Sequence, residues 1–246
     1  MARLILVHGA FCSSNVWGSR VVHELEKLGH SLEILDLPSH GRDSTPKADV
    51  TLDLYAEFVA AKAMSRPEPA VLIGHSMGGL VITQAADNVL AAGGTIAGLI
   101  YVAAALPRNG KAQNDYTSLP EGEGDELAGN LVLSDTKPTV ATVPVELAPR
   151  ALFNDLPEQV GLELGLTLEP QTVRVFFTPV HITDDRPIHR GYILCTNDRA
   201  IPPALQRLMA SETPGVCVIE LDSDHSPFVS HPEEFLAAVR ELLPNA

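Results

Sequence analysis

Ser76 lies in the stretch Val71-Leu72-Ile73-Gly74-His75-Ser76-Met77-Gly78-Gly79, where G-x-S-x-G separates an apolar run from an apolar helical pattern. The order is strand, sharp turn, helix. Gly74 and Gly78 leave room for a crowded backbone at Ser76, so the turn lets its hydroxyl project above the sheet edge. The helix beginning just after it aims free N–H groups and a positive dipole end at whatever the serine attacks. A serine hydroxyl is a weak nucleophile at neutral pH. It needs a base such as histidine, and the histidine needs a carboxylate to fix its tautomer and steady its charge. In the chain order Ser, Asp, His, those partners belong at the ends of later strands. Asp198 follows the run Tyr192-Ile193-Leu194-Cys195, and His225 follows Val216-Cys217-Val218-Ile219-Glu220-Leu221. Loops there gather above the carboxyl edge of a parallel sheet, where open α/β folds place their sites.

The rival residues are few. Of nine histidines, His23 and His30 fall on or beside an outer helix, His181 and His189 in or near an insert, and His231 at the start of the last helix. His8 and His75 precede a loop and the serine turn and read as structural, and His40 reads as a residue that orders its loop. Asp222 and Asp224 compete with Asp198, but Asp222 lies too near the end of the histidine's own strand to reach around the imidazole easily. Attack on a carbonyl also needs two donors for the oxyanion. The N–H of Met77 supplies one and the N–H of Ala10 the other, since Gly9 lets that backbone approach closely. Phe11 then faces the pocket. Leu152, Phe153 and Leu156 either line an apolar acyl pocket or only pack an insert onto the core.

The elements that must hold these residues follow from periodicity. Arg3 to Val7 reads as a fully buried strand, Asn15 to Leu28 as a helix stopped by Gly29, and Ser31 to Leu37 as a second strand ended by Pro38. Asp36 to Pro46 is dense in turn formers. Thr51 can cap a helix with Leu54, Tyr55, Phe58, Val59 and Ala63 on one face, before Pro67. The serine strand and its helix come next, closing at Gly93-Gly94, and Ile96 to Ala103 is a fourth strand. Continuous apolar strands separated by helices indicate an α/β fold with a mostly parallel sheet covered on both faces. From Pro107 the rhythm breaks, so residues 107–187 read as an inserted cap, with short helices around Val145 to Phe153 and Pro157 to Leu164. The sheet resumes with the strands before Asp198 and His225, and Pro232, Glu233 and Glu234 open a last helix. The expectation is one domain over 1–246, with a core of 1–106 and 188–246.

Composition narrows the function class. At 246 residues, with 45% hydrophobic and 20% charged residues, the chain suits a globular domain that buries roughly 70–75% of its unfolded surface. No apolar run of about 20 residues is present, so no membrane span is expected. The apolar start is too short for a signal peptide, and a cytoplasmic location is expected. A net charge of −14 argues against nucleic acid and anionic membranes as partners. Three cysteines, Cys12, Cys195 and Cys217, are too few and scattered for a disulfide framework or a metal site. Cys195 and Cys217 read as buried free thiols.

With His8-Gly9-Ala10-Phe11, the loop 36–46, Gly74–Gly79, Thr196-Asn197-Asp198 and Asp224-His225 in this order, the chain resembles the α/β-hydrolase superfamily. It is most similar to the branch of plant methylesterases, plant hydroxynitrile lyases and small bacterial esterases, over the whole length and including Ala151-Leu152-Phe153-Asn154-Asp155-Leu156-Pro157. The resemblance implies a sheet of six strands, a helical cap, frequent homodimers, a triad of Ser76, His225 and Asp198, and oxyanion amides at Ala10 and Met77. Lyase members carry a threonine just after the first-strand histidine and a lysine directly after the catalytic one. Gly9 and Ser226 stand here instead, which favours hydrolysis of a small carboxylic ester through an acyl-enzyme, without metal or organic cofactor. Cyanohydrin cleavage on the same triad and a role as a small-molecule receptor are the alternatives.

Overall fold

A computed structural model of the chain describes residues 1–183 and 188–244. Its elements run β1 (Arg3–Val7), α1 (Ser19–Lys27), β2 (Ser31–Leu35), α2 (Leu52–Met64), β3 (Ala70–His75), α3 (Gly78–Ala91) and β4 (Ile96–Val102). Then follow α4 (Gln113–Thr117), β5 (Val132–Leu133), β6 (Val140–Thr142), α5 (Ala148–Ala151), α6 (Glu158–Gly165), β7 (Gln171–Thr172) and α7 (Arg174–Phe177). The chain closes with β8 (Arg190–Cys195), α8 (Pro203–Ser211), β9 (Cys217–Leu221), α9 (Pro227–Ser230) and α10 (Pro232–Leu242).

Six strands form one parallel sheet in the order β2-β1-β3-β4-β8-β9. Side chains alternate between its faces as strand geometry requires. Leu4 and Leu6 pack with Trp17, Val21, Phe235 and Val239 on one side. Ile5 and Val7 pack with Tyr55, Val59, Leu80 and Leu205 on the other. The two outermost strands are partly exposed, and Cys217 on β9 faces solvent. The expectation of a buried thiol there therefore fails: an edge strand is covered less completely than its apolar sequence suggests. Cys12 and Cys195 are buried.

The helix expected over Asn15–Leu28 is divided. Ser14–Trp17 forms a 3-10 turn, Gly18 adopts φ 69°, and α1 starts only at Ser19. A residue in that left-handed region cannot continue a right-handed helix. Thr51 caps α2 as its sequence suggests, with Oγ1 accepting from Leu54 N–H at 3.0 Å.

Between β4 and β8 the chain leaves the main sheet and, among the described residues, adds the antiparallel strands β5-β6-β7 and four short helices. Hydrogen bonds tie it down onto the loops at the carboxyl edge. Glu169 N–H donates to Phe11 O at 2.7 Å, Glu126 N–H to Arg199 O at 2.7 Å, and Asn154 Nδ2 to Asn197 O at 3.1 Å. The end of the insert expected at Pro187 lies outside the described residues, as does Ala246. Among the described residues no helix is long and apolar enough to cross a membrane.

Candidate active site

The strand order reverses between β1 and β3, because β2 continues outward from β1 and β4 outward from β3. Loops leaving the carboxyl ends of that central pair diverge to opposite faces and open a crevice. Val7 is in register with Gly74, so the turn after β1 and the serine turn after β3 meet at its floor. Ser76 sits there at φ 53°, a conformation costly for any residue with a Cβ. Backbone bonds on both sides hold it: Ser76 N–H donates to Val102 O, and Ala105 N–H to Ser76 O, each at 3.1 Å.

Glycines make this close approach possible. A Cβ on Gly74 would stand 2.6 Å from Gly78 O, and one on Gly78 would stand 2.6 Å from Val7 O and 2.8 Å from His8 O. A Cβ on Gly9 would stand 2.8 Å from Ser76 Cβ. The start of α3 is thus packed directly on the end of β1, which brings the N–H groups of Ala10 and Met77 to the same floor. Among the described residues neither of these amides donates to a protein acceptor.

His225 Nδ1 donates to Asp198 Oδ2 at 2.8 Å, with both residues buried. This selects the tautomer whose Nε2 lone pair is free to take a proton. Asp198 is itself fixed: Oδ1 accepts Ala200 N–H at 2.8 Å and Ile201 N–H at 2.9 Å, and Oδ2 accepts Gln206 Nε2 at 2.9 Å. The rival carboxylates are engaged elsewhere. Asp222 accepts from Thr196 and Asn197, and Asp224 accepts from Ser226, Ser230 and Asp155.

Ser76 and His225 line one cavity of about 250 Å³, together with Ala10, Phe11, Leu152 and Phe153. Leu156 packs beside the apolar cluster of Leu152 and Phe153 but does not line the cavity. A half-buried hydroxyl with a buried imidazole and carboxylate in one crevice, and free amides beside them, can carry out acyl transfer.

His8 and His75 have structural partners. His8 Nε2 accepts Leu37 N–H at 3.1 Å and Nδ1 donates to Gly9 O at 2.8 Å; its burial pushes the pKa down to about 4. His75 Nε2 donates to His225 O at 2.9 Å, tying the serine turn to the histidine loop. His40 is buried in the loop 36–46 against His8 and Tyr55, with neither ring nitrogen hydrogen-bonded. It orders its loop by packing. Two further cavity residues, Gln113 and Asp125, escaped the sequence reading, because a polar residue in an irregular insert carries no periodic signal.

Comparison with known proteins agrees with this architecture. The sequence pattern of the Alpha/beta hydrolase family matches residues 4–238. Methylesterase 7 of Arabidopsis thaliana is 29% identical, over 98% of this chain and 95% of that protein. A pyrethroid hydrolase of Sphingobium wenxiniae is 28% identical, over 97% of this chain and 86% of its own length. The crystal structure of a pyrethroid hydrolase from Sphingobium faniae superposes with a TM-score of 0.83 at 26% identity, covering 98% of this chain and 97% of that one.

Proposed function

Because the chain belongs to the Alpha/beta hydrolase family, we propose that it hydrolyses small carboxylic esters through an acyl-enzyme formed on Ser76. The observation that carries this reading is the His225–Asp198 bond of 2.8 Å behind a serine held at φ 53° in the same cavity. The names of the similar proteins, a methylesterase and a pyrethroid hydrolase, support ester chemistry.

In this mechanism Ser76 Oγ attacks the ester carbonyl carbon while His225 Nε2 takes its proton. The carbonyl oxygen becomes an anion that accepts from the N–H groups of Ala10 and Met77, each worth about 2.7–4 kcal/mol in the transition state. The tetrahedral intermediate collapses, the C–O bond to the alcohol breaks, and His225 returns the proton to the departing oxygen. Water then attacks the acyl-serine with the same proton traffic, releasing the acid and restoring Ser76. Asp198 keeps the imidazole oriented and balances its charge throughout.

Hydrolysis is favoured over cyanohydrin cleavage by the cavity lining. Ser226 follows His225 where a lyase-type site would carry lysine, and among the described residues no Lys or Arg lines the cavity. A departing cyanide would thus meet no lysine or arginine. A Cβ at position 9 would stand 2.8 Å from Ser76 Cβ and 2.9 Å from His75 Nδ1, which leaves no room for a threonine there.

Ser76→Ala is expected to lower kcat for p-nitrophenyl acetate by about 10³- to 10⁶-fold while leaving the thermal unfolding midpoint within a few degrees. Near wild-type turnover in that variant would remove Ser76 from the mechanism. A wild-type protein that labels once and releases product only over hours would instead indicate a receptor.

A further inference from the structure

One wall of the cavity has no use in the acyl-transfer steps. Phe11, Leu152, Phe153, Val173 and Phe176 make one side apolar, while Gln113 and Asp125 are polar. Among the described residues Asp125 is the only carboxylate lining the cavity. Its Oδ1 accepts Leu127 N–H at 2.7 Å and Ala128 N–H at 2.9 Å, which fixes the side chain. Its Oδ2 has no protein hydrogen-bond partner among the described residues. Gln113, the first residue of α4, has its Oε1 buried without any partner. A buried acceptor left unmatched is costly, and such atoms in native proteins are normally met by some donor. Gln113 Oε1 is such an atom, and Asp125 Oδ2, on a half-buried carboxylate, is a second acceptor with no protein donor among the described residues, so a group that bonds to either one donates.

The position of Asp125 indicates which end of the ester carries that donor. His225 returns its proton to the departing oxygen, so the alcohol part lies on the His225 side of the cavity. The neighbouring residue Glu126 donates its N–H to Arg199 O at 2.7 Å, which fastens this segment onto the loop bearing Asp198. Burial and the nearby Asp198 charge both hold the Asp125 carboxyl above the usual carboxylate range, as befits a group close to that acid.

We propose that Gln113 and Asp125 determine specificity, selecting esters whose alcohol part carries a hydroxyl donor and rejecting those whose alcohol part carries a carboxylate. The proposal rests on the ester-hydrolase reading above. An apolar acid part packs on Phe11, Leu152 and Phe153, and the hydroxyl of the alcohol donates to Asp125 Oδ2 or Gln113 Oε1. A hydrogen bond to a charged acceptor is worth about ten- to a hundredfold in binding.

The test compares kcat/KM of the full chain for the 3-hydroxypropyl, n-butyl and 2-carboxyethyl esters of phenylacetic acid, with p-nitrophenyl acetate as reference. The wild type is expected to favour the hydroxypropyl over the isosteric butyl ester by about tenfold or more. Asp125→Asn and Gln113→Leu should each lower that ratio, and Asp125→Asn should raise the carboxyethyl ester relative to butyl. Should one variant not fold, the other carries the comparison. A wild-type preference for butyl, a ratio unmoved in the folded variants, or a preference seen only when the hydroxyl is moved to the acid part would overturn the proposal. A wild type that turns over none of these esters, p-nitrophenyl acetate included, would overturn the ester-hydrolase reading instead.

Discussion

Asp198 receives donors on both oxygens, from Ala200, Ile201, Gln206 and His225, and the chemistry of that shell sets what a substitution does. In Asp198→Asn the amide oxygen can keep the two backbone N–H groups. The NH2 then takes the place of Oδ2 and points a donor at Gln206 Nε2 and at His225 Nδ1. The imidazole must accept there, which moves its proton to Nε2, the atom required as base. A kcat loss of about 10⁴-fold is expected, with the fold retained; steady-state kinetics within tenfold of wild type would contradict the assignment. At this scale the sequence supplied the residue types and their positions after strands. It favoured Asp198 over Asp222 and Asp224, but what fixes each carboxylate is a tertiary matter: Gln206 on the following helix holds Asp198, and Asp155 of the insert holds Asp224.

The elements hold these residues by close backbone approach, and α3 on β1 is the tightest case. Gly78→Ala would place a methyl 2.6 Å from Val7 O and 2.8 Å from His8 O, both main-chain atoms that cannot rotate away. α3 must therefore shift outward, at a cost of about 1–3 kcal/mol from overpacking, and the Met77 amide moves with it. Urea denaturation should show the stability loss and kcat should fall in the same variant. A variant with both unchanged would show that this contact does not set the donor geometry. Helix and strand identities were readable from apolar spacing, since burial on one face or on both imposes the period. Boundaries were less so. The break at Gly18 comes from a backbone angle, and the exposure of Cys217 from the place of β9 at the sheet edge, neither of which leaves a mark in hydrophobic periodicity.

Across the whole molecule, burial of neutral histidines makes stability depend on pH. Burial pushes His8 down to about 4 and His40 to about 3, and holds His75 well below its ordinary 6.5. Each binds a proton more readily in the unfolded chain, so the stabilisation is fully present above pH 6.5 and is lost as pH falls towards the folded values. His8 alone, lowered from 6.5 to about 4, corresponds to on the order of 3 kcal/mol. Asp125 and Asp224, whose carboxyls burial holds up, act in the opposite sense near their own ordinary range. The histidine effect is therefore read above that range. Urea midpoints should fall steadily from about pH 7 to about pH 5, and a flat profile would show that these histidines are hydrated. The sequence by itself determined the parallel α/β architecture and the strand-end positions of Ser76, Asp198 and His225, because continuous apolar runs and turn formers are local features. Only the tertiary structure decided how Asp198 is held against His225, that Gln113 and Asp125 enter the cavity, and how close β1 and α3 approach. Those are distances between segments far apart in the chain, fixed by packing the whole core at once.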